Sequence, residues 1–225
     1  TVNKTAIMLA ILISTAAISW NFPNPFIVMV SYIGIFTAGI ASVATFGFWM
    51  PFIGFIINPR PYLAPKTWLV FAFGEGFFIG LISLQFETMF PGIVLEAVSL
   101  TFCVAATLLF LYKSGIVKPT QNFVLMLCSA IFGIFLFYIG IFIYSLVTGV
   151  SPEIFSGNSN ASIGLSLFIV AMAAFSLVLD FDIIEQSAEY GSPKYMEYFG
   201  AMALVTTLIW LYIEILRLLA KLRSR

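Results

Sequence analysis

Over 225 residues the chain is 61 % hydrophobic and 17 % aromatic, and only 9 % of it is charged. A soluble domain carries about 25 % charged residues, so that class is excluded. Ten Lys and Arg balance ten Asp and Glu, and net charge gives no reason to expect nucleic acid as a partner. Several uninterrupted apolar runs are long enough to cross a ~30 Å hydrocarbon core, which needs roughly 20 helical residues. The fold class is therefore an all-α polytopic membrane protein, with the lipid bilayer as its first partner.

Seven spans are predicted, forming one transmembrane domain over residues 1–225. The first covers 5–20 and ends in the turn "NFPNP". It lacks an Ala-x-Ala cleavage site, so it reads as a span and not a signal peptide. The chain opens on Thr1 without a methionine, and upstream residues are expected. The second span, 26–57, is too long for one straight crossing, and Pro51 is expected to kink or break it. "NPRPYLAPK" (58–66) is a proline-stiffened loop. The third span covers 67–86 and is followed by the turn "ETMFPG"; the fourth covers 93–112 and leads into the basic loop "KSGIVKPTQ". The fifth covers 123–147 and precedes a polar loop; the sixth covers 163–187. The seventh runs over 200–220 into the tail "AKLRSR". Cys103 and Cys128 fall inside spans and read as small apolar packing residues.

Orientation follows from Lys and Arg in short loops. Lys4, Arg60, Lys66, Lys113, Lys118 and Lys194 fall on one side if the spans alternate, while 21–25, 87–91 and 149–160 contain no Lys or Arg. That pattern predicts a cytoplasmic N-terminus. The tail breaks it, because Arg217, Lys221, Arg223 and Arg225 would lie outside. Either the last helix is only partly transmembrane or one span is miscounted.

The acids are distributed differently from the cations. Glu75 is near the middle of the third span, Glu96 is one turn into the fourth, and Asp180 and Glu214 lie within the sixth and seventh. Each costs at least ~2.5–3.5 kcal/mol at membrane depth. Several such groups without matching cations point to a site for protons or metal cations. The alternative is that they are protonated or serve as hydrogen-bonded packing glue. Asp182, Glu185 and Glu189 share one helix face and read as a solvated stripe. Asp180 lies about 140–200° away from them, among Ser166, Ala173, Ser176 and Ser187, and faces the bundle. Glu214 shares a face with Gly200, Ala203, Thr207 and Arg217, and a local Glu214–Arg217 ion pair is the simpler reading there. Asp180 and Glu214 reach equal depth in a hairpin only if its turn centres near residue 197. A turn at "GSP" (191–193) would offset them by roughly 10 residues, or about 15 Å.

Absences exclude much chemistry. Without histidine there is no Ser–His protease, HExxH metalloprotease, haem or His-zinc site. No lysine lies inside a predicted span, so a retinal Schiff base is excluded. "GEGFFIG" lies within an apolar helix and lacks the strand–turn–helix context of a phosphate loop. An intramembrane aspartyl protease is the one enzyme class left, and its GxGD motif is missing. The chain is thus expected to be non-enzymatic and to need no cofactor.

Three segments resemble the Bax inhibitor-1/YccA-like family: "EGFFIGLISLQFETMFPGIVLEAVSLTF" (75–102), "LVLDFDIIEQ" (177–186) and "TLIWLYIEILRLLAKL" (207–222). The similarity runs from about Thr1 to Leu222, and "LDFD" before an acidic stretch resembles the bacterial branch. The resemblance implies a seven-helix bundle with the last helix central, in the bacterial inner membrane. It also implies a pH-sensitive calcium leak with two acids, here Asp180 and Glu214, as sensor and gate. Glu replaces the usual Asp at 214 and the connection between the two helices is longer, which leaves ion selectivity and titration range open. A basic residue that latches onto the first acid in some members has Arg60 as its nearest counterpart. Glu75, Glu96, Asp182 and Arg217 are accessory candidates. Physically, two carboxylates held close in low dielectric do not both ionise easily and can share a proton that holds their helices together. Calcium bound near Asp180 and Glu214 would need waters or carbonyls to complete its shell. Some relatives interact with a membrane-anchored AAA protease, which gives a second, non-transporting reading.

Overall fold

The computed structural model describes residues 1–22, 24–46, 60–149, 152, 157 and 159–224. Among them the chain is helical: α1 (Val2–Asn21), α2 (Pro25–Phe46), a single 3-10 turn (Pro61–Leu63), α3 (Ala64–Met89), α4 (Ile93–Lys113), α5 (Gln121–Thr148), α6 (Asn160–Glu189) and α7 (Tyr195–Arg223). Each of these seven α-helices is long and apolar enough to cross a membrane, and the protein is an integral multi-pass membrane protein. The expected kink at Pro51 and the end of the second span lie outside the described residues.

Most boundaries extend beyond the predicted spans because the apolar run is shorter than the helix. α3 starts at Ala64 and not Thr67, since Pro65 falls in the first turn, where its missing N–H has no intrahelical partner to lose. α6 ends in a Schellman motif: Ser192 N donates to Ser187 O at 3.0 Å and Gly191 N to Ala188 O at 3.3 Å. Gly191 takes the required left-handed conformation (φ 60°). The turn is therefore at "GSP", and the residues after Lys194 are helix, not linker. They are fixed by Lys4, which donates to Glu197 and lies 3.9 Å over the Tyr198 ring. Trp68 packs edge-on to Tyr198 at 5.3 Å.

The chain forms two compact units: Thr1–Met89 with Asp180–Thr206, and Phe90–Leu179 with Thr207–Arg225. The first is held by unusually close helix crossings. A Cβ on Gly76 would lie 2.7 Å from the Leu12 carbonyl oxygen, and one on Gly80 would lie 2.9 Å from Ala16 Cα, so α1 and α3 touch backbone to backbone. Gly74 meets Gly34 and Ala38 of α2 in the same way, at 2.8 and 2.9 Å. In lipid, where apolar surface gains little by associating, such small-residue contacts carry helix packing. Buried hydroxyls at these crossings bond back to their own helices, as with Thr15 to Leu12 O at 3.0 Å and Ser19 to Ala16 O at 3.0 Å. Thr45 and Thr67 join α2 to α3 at 2.7 Å.

In the second unit α4 buries Ile93, Ala97, Thr101 and Leu108, a stripe at helical spacing. Phe123 of α5 packs against Phe175 of α6 at 5.9 Å. α5 leaves most of its apolar surface facing outward, as a lipid-facing helix does: among its residues Leu127 and Ile134 are the fully buried ones. In α7, Leu211, Tyr212, Glu214, Ile215 and Leu216 are all buried, while Ile213 and Arg217 are half-buried.

Candidate functional site

Asp180 belongs to the first unit. It is 8 % exposed and continues the buried seam of α6, which runs Ser162, Ser166, Ile169, Ala173, Leu177, Asp180 at intervals of three and four. Glu185 and Glu189 are exposed and Asp182 is half-buried, accepting a hydrogen bond from Gln186 Nε2 at 2.6 Å. The helix thus separates buried Asp180 from exposed Glu185 and Glu189, while Asp182, expected on the solvated stripe, is half-buried. Glu75 is half-buried in α3, between the two glycines that make its closest crossings. Arg60 is exposed just before the 3-10 turn and forms no ion pair among the described residues.

Glu214 belongs to the second unit and is 3 % exposed. Tyr138 Oη donates to its Oε1 at 3.0 Å. Arg217 Nη1 donates to Oε1 at 3.0 Å, to Oε2 at 3.2 Å and to Tyr138 Oη at 3.0 Å. The three groups form a closed ring of charge-assisted bonds linking α5 to α7. The local ion pair read from i, i+3 spacing is present, and Tyr138 completes it. Sequence reasoning missed Tyr138, because α5 is apolar on all faces and no periodicity marks the side that carries Leu127, Ile134 and Tyr138.

Lys221 was missed too. It falls in the tail beyond the predicted span 200–220, but α7 continues to Arg223, and Lys221 is only 7 % exposed. Its Nζ donates to Ser166 Oγ at 2.8 Å and to Ser162 O at 3.5 Å, both at the start of α6. The signal was available: Lys221 is four residues after Arg217, on the same helix face. Arg223 Nη2 donates to Glu96 Oε1 at 2.6 Å and its Nη1 to Pro91 O at 2.8 Å. Glu96 is therefore an exposed partner of the last turn of α7. The tail that broke the loop-charge pattern is folded, and two of its cations are neutralised by Glu214 and Glu96 within the unit.

The Lys221 contact gives a testable asymmetry. Replacing a buried cation with an apolar chain of similar length is close to neutral, so Lys221→Met should change stability by less than about 1 kcal/mol. Ser166→Val instead deprives a buried ammonium of an acceptor and should cost about 1–3 kcal/mol. Thermal unfolding of both variants in one detergent checks the order.

Asp180 and Glu214 lie in different compact units. Among the described residues no group of three His, Cys, Asp or Glu side chains could hold a metal ion. What these residues define is a polytopic helical membrane protein with two carboxylates enclosed in its last two helices. A family model described as Bax inhibitor 1 like matches residues 1–224, and the chain belongs to that family. No curated protein and no solved structure matches it.

Proposed function

We propose that the protein is a non-enzymatic, pH-sensitive cation leak of the bacterial inner membrane, with calcium as the permeant ion. Asp180 and Glu214 are its proton- and cation-responsive groups, and its N-terminus is cytoplasmic. The observation that carries this reading is the near-complete burial of one carboxylate on each of the last two helices (8 % and 3 % exposed). Placing even one charged group at membrane depth costs at least ~2.5–3.5 kcal/mol, which packing alone does not require. Calcium takes roughly six to eight oxygen ligands. Either acid supplies two, and hydroxyls, carbonyls or water supply the rest.

Calcium flux into liposomes containing the purified protein, followed across pH 6 to 8, tests the reading. Wild type should show a pH-dependent flux, and Asp180→Asn and Glu214→Gln should each change its size or its pH profile. The double variant reads the coupling: an effect no larger than that of one substitution means the two acids act as a unit. No flux from a well-folded wild type would leave a role as a non-transporting partner of a membrane AAA protease. Flux unaltered by both substitutions would retain transport but put the site elsewhere.

A further inference from the structure

Glu214 is 3 % exposed, whereas the Arg217 side chain bonded to it is 29 % exposed. The Arg217 side chain is thus the more exposed member of the pair, and its guanidinium is held by both carboxylate oxygens and by Tyr138 Oη. We infer that Arg217 is a tethered cation that fills the Glu214 site and sets which ions can exchange into it, favouring divalent over monovalent cations. The inference rests on the cation-leak reading and adds Arg217 and Tyr138 to it as selectivity-determining residues.

The argument is one of competition. An alkali cation carries the same charge as the guanidinium and offers no directed hydrogen bonds, so it gains nothing by replacing it. A divalent cation doubles the Coulomb attraction to the carboxylate. It also seeks oxygen ligands, and three already converge here: both oxygens of Glu214 and the hydroxyl of Tyr138. The displaced guanidinium keeps its charge in a partly exposed position. One helical turn further, buried Lys221 holds a second positive charge on the same face, fixed by Ser166. Without the guanidinium, the carboxylate becomes an open seat for any small cation.

Calcium and potassium fluxes are measured in liposomes for wild type, Arg217→Gln, Arg217→Lys and the double variant Glu214→Gln/Arg217→Gln. In parallel, melting temperatures of the same four proteins in lipid nanodiscs are titrated with calcium chloride or potassium chloride. Arg217→Gln should raise potassium flux relative to calcium by about tenfold, equivalent to 1.4 kcal/mol of lost discrimination. Arg217→Lys, which restores a tethered cation, should keep the wild-type ratio, and the double variant should lose the gain. Potassium should raise the melting temperature of Arg217→Gln but not that of wild type or the double variant. A folded Arg217→Gln with the wild-type flux ratio and no potassium-dependent rise overturns the inference. If none of the four proteins passes either ion, the leak reading fails and the titration alone decides whether Arg217 guards a cation seat. Where flux and titration disagree, the titration decides.

Discussion

Gly76→Val is expected to prevent most of the protein from reaching a stable fold, with a loss above about 3 kcal/mol, beyond the usual 1–3 kcal/mol for overpacking. Even the first carbon of the new side chain would collide with Thr15 and lie 2.7 Å from the Leu12 carbonyl oxygen. The obstacle on α1 is mainly backbone, which no rotamer change can clear, so α1 must move away from α3. That movement would open the Gly80 crossing one turn further along as well. Nothing in lipid compensates, because van der Waals contact between small residues is the main force holding such helices together. Gly133→Ala on α5 is the control: nothing lies within 4 Å of the added carbon. It should be neutral or stabilising by up to about 1 kcal/mol, since alanine is the better helix former. Yield of monodisperse protein and thermal midpoint in one detergent separate the two. Equal midpoints would mean that α1 and α3 do not cross as closely as described.

Glu214→Leu is expected to cost about 2–3 kcal/mol, somewhat less than the 3–5 kcal/mol typical of breaking a fully buried pair, because Arg217 is partly exposed. The loss comes from what is left behind: a guanidinium and a phenol whose shared acceptor has gone. Glu214→Gln keeps an amide oxygen facing Tyr138 and Arg217 and should lose only about 1 kcal/mol. The double variant Glu214→Leu/Arg217→Met removes the stranded charge along with its partner and should recover most of the loss. Thermal midpoints of the three variants form the test. A double variant as unstable as Glu214→Leu alone would mean that the cost arises from lost packing in α7, not from the uncompensated cation.

The helices and their approximate spans were legible in the sequence, because a membrane span must be a long apolar run. Burial of Asp180 was legible too. A helix with a solvated acidic stripe has only one remaining side to place against protein, and the small residues on that side marked it. The i, i+3 spacing of Glu214 and Arg217 announced their ion pair. The site around that pair was not legible. Tyr138 lies in a helix where every face is apolar, and Ser166 and Lys221 are separated by more than fifty residues of chain.

By itself, then, the sequence determined that this is a seven-helix membrane protein and that acids in its last two helices face inward, since both follow from hydrophobicity and helical period. Only the tertiary structure decided which groups those acids meet. Gly191 ends α6 in a Schellman turn, and the Lys4–Glu197–Tyr198 contacts extend α7 back to Tyr195. Within the second unit, Glu214 meets Tyr138, Lys221 meets Ser166 and Arg223 meets Glu96. Register between helices is set by side-chain and backbone contacts distant in sequence, and a uniformly apolar sequence carries no periodic signal of it.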